Sequence, residues 1–390
     1  MLFQTLDSKQ ECVGVYNDGA LLYGEDRIKD GFSGTRTWTY ASYLEGYDIE
    51  YADLYCGRGL DDACPDHLKE DWKFVNKKLQ AFMRSIFEAK VSLEDNCFYD
   101  LVPERFLKDY CFVKNAICQH VFESYEKPDN YEHLLGAAKL LHKISLQKVN
   151  LNWSNMRNSM HKSKVRQDIK KLRHLSPYCR YNLFGTKTGR LTTKKGGFPI
   201  LTLPKDYRKS IRPSNDSFIS LDFNGAELRT LLALGGSEQP VEDIHEWNKV
   251  NVFGNTGSRE EAKKRLFSWL YNPDSSDRLL ERAYNRQELV QKHWNGTTVS
   301  TPFGRNIAVD KRRALNYLIQ STTSDMVVEQ AIKIDKMLRG CRSRIAFIIH
   351  DEIILDVAKE DSEIIRKAVQ TFGDTRFGKY MVGVKTGLTI

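Results

Sequence analysis

Apolar and polar positions sort this chain into segments of different period. Near its C-terminal end, Ile345-Ala346-Phe347-Ile348-Ile349 and Ile353-Ile354-Leu355 are apolar runs interrupted by His350-Asp351-Glu352. Short, β-branched runs of this kind fit buried strands, so the pattern predicts a hairpin with the charged triplet at its turn. Phe218-Ile219-Ser220-Leu221 predicts another strand, ending at Asp222. A helix is expected from Ala226 to Leu234, stopped by Gly235-Gly236. From Asp71 onward, Val75, Leu79, Phe82, Met83 and Ile86 recur at helical spacing and predict an amphipathic helix. Helices are also expected near 113–125 and 131–147, over 258–294 and over 308–338, with a last strand near 380–384. Residues 1–65 carry short strand-like runs such as Cys12–Tyr16 and Ala20–Tyr23, and read as a small separate segment. Strands with helices inserted between them predict an α+β architecture carrying a helical module.

Composition narrows the class. With 390 residues, 41% hydrophobic and 28% charged, the chain has the make-up of a globular protein with room for two or three domains. A net charge of +8 favours a polyanionic partner without identifying one. The eight cysteines are scattered with no C-x-x-C pair, which argues against a zinc site or a disulfide framework and for a reducing compartment. Residues Met1 to Asp7 lack the pattern of a signal peptide, and no apolar run reaches membrane-spanning length. The expected location is the cytoplasm, with no membrane partner.

Three constellations carry chemistry. Asp222 and Asp351 each lie at the edge of an apolar strand, and two such carboxylates can hold a pair of Mg²⁺ ions for phosphoryl transfer. Either alone reads better as a capping or solvated aspartate. Arg259, Lys263, Phe267 and Tyr271 recur every four residues behind Ser258, an expected N-cap that Glu261 would complete as a capping box. Cations suit a triphosphate and rings suit a base; solvated cations with two core aromatics is the plainer alternative. His161, Lys162, Lys164, Arg166, Lys170, Lys171, Arg173 and His174 form a basic stretch, with a solvated face as its plain reading.

The order and content of these segments resemble the family A DNA polymerases, the bacterial DNA polymerase I type, over roughly residues 176–390. Thr188-Gly189-Arg190 is similar to the family's TGR segment, and Asp222 to Arg229 to its DYSxxELR motif. Asp243-Ile244-His245 resembles its DIH element. Arg259-x-x-x-Lys263-x-x-x-Phe267-x-x-x-Tyr271 matches the fingers helix, and Thr301–Arg305 the TxxGR turn. Arg312 to Gln320 resembles RAxxNxxxQ, and His350-Asp351-Glu352 closes the set. Agreement of context at each step makes chance coincidence small.

The resemblance implies a right-hand polymerase fold of α+β class, with an antiparallel-sheet palm, a helical thumb and inserted helical fingers. Residues 66–185 would be the thumb, 186–240 and 301–390 the palm, and 241–300 the fingers, with 1–65 of unassigned role. Asp222, Asp351 and the Phe223 carbonyl would bind two Mg²⁺, for which Mn²⁺ can substitute, with Glu352 as a supporting acid. Arg259, Lys263 and His245 would hold the triphosphate, and Lys263 would protonate the pyrophosphate. Phe267 would stack on the nucleotide, Tyr271 would occupy the template-base position, and Glu227 would exclude a 2′-hydroxyl. Arg190, Arg312, Asn316, Gln320 and His350 would contact DNA near the primer end, and Lys164, Arg166, Lys170 and Lys171 the duplex phosphates. Implied partners are primer-template DNA and dNTPs, and a separate exonuclease, helicase or processivity factor is compatible with the chain. Ser268, Asn272 and Pro273 depart from the family pattern, and Pro273 should end the fingers helix early. With no DxE-type motif in the N-terminal region, proofreading is not expected. A phage or other mobile replicon fits so short an enzyme. A single-subunit RNA polymerase and a catalytically silent DNA-binding subunit are the alternatives, and Glu227 and the retained acids weigh against them.

Overall fold

A computed structural model describes residues 1–8, 11–24, 34–93 and 95–390, and the chain divides into two units, Met1–His142 and Lys143–Ile390. In the first, β1 (Phe3–Ser8), β2 (Glu11–Asn17) and β3 (Ala20–Tyr23) form an antiparallel sheet, and β4 (Thr35–Thr37) pairs in parallel with β5 (Ile49–Tyr51). Two short helices, α1 (Ala52–Cys56) and α2 (Leu60–Ala63), lead to the long α3 (Lys69–Glu88) and α4 (Glu104–Ser124). Helix α5 (Tyr131–Ser145) runs across the division.

The amphipathic pattern expected from Asp71 is α3, with Val75 and Ile86 buried, though Met83 is 40% exposed. Leu6 and Tyr16 of the sheet share one core with Phe106, Leu107 and Cys111 of α4, while Trp38 and Ala52 pack with Trp72, Val75 and Ile117. Residues 1–65 are therefore not separate from the helices that follow. The structural division falls at 142/143, inside the stretch expected as thumb, because apolar side chains of the N-terminal strands complete the helical core.

The second unit begins with β6 (Asn150–Leu151), α6 (Ser163–His174), β7 (Tyr181–Asn182), β8 (Thr192–Thr193), α7 (Lys205–Arg208) and β9 (Ile211–Arg212). Then come β10 (Ser217–Phe223), α8 (Ala226–Leu234), α9 (Ile244–Asn251), α10 (Arg259–Tyr271), α11 (Arg278–Tyr284) and α12 (Arg286–His293). The hairpin β11 (Thr298–Ser300) and β12 (Asn306–Ala308) precedes the long α13 (Lys311–Met337). Next are β13 (Arg344–Ile349), β14 (Glu352–Val357), α14 (Ser362–Gly373), the small hairpin β15 (Asp374–Thr375) and β16 (Gly378–Lys379), and β17 (Val382–Gly387).

The central sheet is antiparallel in the order β13-β14-β10-β17. Alternation along β10 divides its residues by face. Leu221 and Phe223 point towards α14, where the Phe223 ring stacks on Phe372 at 4.0 Å. Ser220 and Asp222 point the other way. The helical region 258–294 is broken after Tyr271, where Pro273 is expected to end the first helix: Asn272 caps α10 and Pro273 follows, lacking the N–H a continuing helix needs. Helix α14 lies outside the sequence expectation, although Ile365, Ala368 and Phe372 line its buried face.

Candidate functional site

The charged triplet sits where the apolar pattern places it. Strand β13 ends at Ile349 and β14 starts at Glu352, leaving His350 and Asp351 as the turn, with His350 at φ 59°. Asp222 is the direct register partner of Glu352. The two acidic segments, far apart in sequence, thus meet at one end of the sheet. Burial raises Asp222 to about 6, and the charges of Asp351 and Glu352 add to the rise while Lys385 and Lys205 oppose it. Ser220, two residues before Asp222 on the same face, donates to Glu352. Among the described residues, no three of His, Cys, Asp and Glu converge as a self-sufficient metal cage.

Beside the acids lies a cleft of about 510 Å³, lined by Arg190, Glu227, Gln320, Ser324, His350 and Asp351 among others. Glu227, in the first turn of α8, is held from two sides: Arg190 donates to one carboxylate oxygen and the Tyr271 hydroxyl to the other. Burial pushes Glu227 up, Arg190 opposes this, and Asp351 adds to it. Helix α8 can start this close to α9 because Gly225 precedes it at φ 62°; a Cβ there would collide with Ile244.

Asp243 joins three elements. It caps α9 through the His245 and Glu246 N–H groups at 3.0 Å and accepts from Asn224, just beyond β10, at 2.7 Å. It also takes both prongs of Arg259, Nε at 3.1 Å and Nη2 at 2.7 Å. Burial alone would raise its carboxyl, but bonds from Arg259, Glu246 and Asn224 reverse this and hold it well below the usual range. Arg229, fully buried, fixes the same loop by donating to the carbonyls of Asn224, Pro240 and Glu242.

Two expected phosphate contacts therefore look different in place. Arg259 is engaged by Asp243 and Glu260 instead of standing free. His245 is only 4% exposed, and burial lowers it to about 4, so it is a neutral imidazole at pH 7. Lys263 is half-buried and, among the described residues, forms no ion pair. The capping box of Ser258 and Glu261 is present. The core face of α10 is Ala262, Leu266, Trp269 and Leu270; of the stripe Arg259, Lys263, Phe267 and Tyr271, Phe267 is partly buried against that same core. Tyr271 is 41% exposed and stacks with Phe267 at 5.7 Å, and Phe267 tilts towards His245 at 5.8 Å.

Helix α13 divides its expected contacts between two places. Gln320 lines the acidic cleft. Arg312 pairs with Asp274, just beyond Pro273, and with Asn316 lines a separate cleft beside α12. One turn of helix separates Asn316 from Gln320, and that turn carries them to different cavities. On α6, Lys164, Lys170 and Lys171 are exposed while Ile169 and Leu172 are buried; Arg166 is turned back onto the carbonyls of Met160 and His161.

Residues 277–377 match the model of DNA polymerase family A. DNA polymerase I of Chloroflexus aurantiacus is 22% identical over 235 residues, covering 47% of this chain and 25% of that protein. The DNA polymerase of Mycobacterium phage D29 is 24% identical over 241 residues, or 50% of this chain and 39% of that one. The thermostable DNA polymerase I of Thermus aquaticus is 25% identical over 241 residues, or 49% of this chain and 29% of that one. The matches span about a quarter of the length of the first two bacterial relatives. The POL domain of Pol1 from M. smegmatis, solved with DNA primer-template and dNTP, shares the fold with a TM-score of 0.65 at 10% identity, covering 99% of this chain and 95% of that one. Residues 277–377 are thus similar to DNA polymerase family A, and the chain as a whole has the fold of a polymerase domain.

Proposed function

We propose that the chain extends a primer 3′-hydroxyl with deoxynucleoside triphosphates on a DNA template, by two-metal phosphoryl transfer. The supporting observation is the meeting of Asp222, Asp351 and Glu352 at one end of the sheet, where burial, and after it the neighbouring carboxylates, raise Asp222. Anions so placed call for compensating cations. Two aspartates and the Phe223 carbonyl are a sparse donor set, which suits Mg²⁺: it keeps several waters and binds through one or two carboxylates plus substrate phosphates. When bound, two such ions neutralise charge on the attacking and leaving oxygens.

The remaining work is positioning and electrostatics, which dominate phosphoryl transfer. In this reading Lys263 faces the triphosphate as a mobile cation and proton donor to pyrophosphate. Arg259 contributes from a position fixed by Asp243, and neutral His245 contributes a hydrogen bond, not a charge. Phe267 and Tyr271 offer ring faces to the nucleotide and the template base, and Glu227 stands where a 2′-hydroxyl would come. Gln320, Arg190 and His350 flank the primer end; Arg312 and Asn316 reach DNA from the neighbouring cleft. Helix α6 meets duplex phosphates. The palm is 186–240 with 301–390, the fingers 241–300, and the thumb lies within 66–185.

Primer extension tests this directly. Mg²⁺-dependent, template-directed dNTP addition is expected, lost in Asp222→Ala and Asp351→Ala and on chelation. Absence of any metal-dependent product refutes the reading, and preference for NTPs would instead establish an RNA polymerase. The reading includes no proofreading by these residues: a mispaired 3′ end should persist when dNTPs are withheld, and its shortening would contradict that part.

A further inference from the structure

A buried ion pair lies under the turn that carries Arg190. Arg305, closing the β11–β12 hairpin, meets Asp325 in the middle of α13 through two bonds, Nη2 to Oδ1 at 2.7 Å and Nε to Oδ2 at 3.1 Å. The two side chains are 14% and 3% exposed. Burying two charges is expensive, and such pairs contribute little net stability compared with apolar replacements of similar volume. The neighbours of this pair show what it does contribute.

Gly189 sits on the guanidinium. A Cβ at Gly189 would lie 2.6 Å from Arg305 Nη2 and 2.7 Å from its Cζ, and Gly189 itself has φ 74°. The flat face of a guanidinium permits this approach; a lysine ammonium has no such face. Ser324, next to Asp325, donates to the Gly189 carbonyl at 3.1 Å. Thr186 closes the turn by donating to the Arg190 carbonyl at 2.9 Å. The next side chain, Arg190, crosses the cleft to Glu227.

We propose that Arg305 and Asp325 are positioning residues that set the Gly189 turn, so that Arg190 holds Glu227 where it discriminates the sugar of the incoming nucleotide. The inference rests on the polymerase reading above for its functional consequence, but its structural content stands separately. Neither residue of the pair touches the nucleotide; both act through the Gly189 backbone.

The test is the paired apolar replacement R305M/D325L, which removes both charges at similar volume. It should fold with a melting temperature close to that of the parent, raise KM for dNTP more than it lowers kcat, and weaken discrimination against ribonucleotides. The loss should be about tenfold, the size expected for one charge-assisted hydrogen bond. R305K, which keeps the charge but not the fork, should not restore discrimination. G189A leaves both charges intact and pushes the turn off the guanidinium, so it should reproduce the loss if the paired variant fails to fold. The ¹⁵N signal of the Arg190 guanidinium reports its bond to Glu227 without any turnover, and should move to a free-arginine position in these variants. Undiminished discrimination or an unmoved Arg190 signal in a folded variant overturns the inference. A parent that extends no primer sinks the polymerase reading, while the Arg190 signal still decides whether the pair positions the turn.

Discussion

Tyr271, in the last turn of α10, donates its hydroxyl to Glu227 in the first turn of α8, while Arg190 holds the other carboxylate oxygen. The side chain proposed to exclude ribose is thus fixed by one residue from the Thr188-Gly189-Arg190 turn and one from α10. Removing the carboxylate opens the space and frees both partners. Glu227→Ala should raise ribonucleotide incorporation by about 10- to 100-fold, the range within which a single pocket contact discriminates. Tyr271→Phe, which leaves Arg190 in place, should give a smaller rise. Single-nucleotide addition with matched dNTP and NTP pairs measures both, and unchanged selectivity in Glu227→Ala removes the role.

Asp222 illustrates a site whose stability and activity oppose each other. Burial and the adjacent acids lift its carboxyl from 3.8 to about 6, so its ionised form is disfavoured in the folded state. For a carboxylate raised in this way, the destabilisation sets in as pH climbs from 3.8 towards 6 and is complete above it. After allowance for solvent screening, Asp222→Asn should be about 1 kcal/mol more stable than the parent at pH 8 without divalent ions. The advantage should vanish near pH 4 and shrink when Mg²⁺ binds the parent, while primer extension falls by about 1,000-fold. Denaturant titrations at the two pH values, with and without Mg²⁺, would show the pattern; a variant no more stable than the parent at pH 8 contradicts it.

The opposite sign is expected at Asp243. Its carboxyl is held below the ordinary range, so the stability it contributes is present above the unfolded-state value and is lost as pH falls below that value. Asparagine also caps helices well, so Asp243→Asn keeps the start of α9 but loses the charge pair with Arg259 and, having one acceptor oxygen fewer, the bond from Asn224. The variant should be about 1 kcal/mol less stable at pH 7, with the gap closing below about pH 4. Melting curves across this range would check it, and a gap independent of pH would rule out the ionic contribution.

Lys164, Lys170 and Lys171 project from α6 into solvent. Replacing all three by alanine should leave stability within about 0.5 kcal/mol. If they meet duplex phosphates, the dependence of log affinity on log salt should become shallower by roughly one unit for each phosphate left without its lysine. Equal slopes for variant and parent would return α6 to a merely solvated face.

The hairpin, the strand edge at Asp222 and the stop at Pro273 were legible because each depends on residues within a few positions of one another. Short continuous apolar runs, a Gly-Gly stop and a missing N–H act locally. Helix α14 carried the same kind of signal in Ile365, Ala368 and Phe372, and could have been read. Arg259 is different. Its spacing with Lys263 marks a face of α10, but its partner Asp243 is 16 residues back on another element. Burial of His245 likewise depends on how α9 packs, which no local pattern encodes. Pairs such as Arg305 with Asp325, and Leu6 with the α4 core, join segments whose meeting only the tertiary fold determines. The divergence of Asn316 and Gln320 was hidden for a related reason: one helical turn separates them, and the surrounding elements decide which cavity each enters.

Asp243 links α9 and α10 to the end of β10 through a single carboxylate. Helix α10 cannot swing away while Arg259 keeps both prongs on Asp243 unless α9 travels with it or loses its cap. Asn224 ties that same carboxylate to the stretch immediately after Phe223. A swing of α10 must therefore either carry α9 with it as one lever or cross a barrier that includes rupture of this junction.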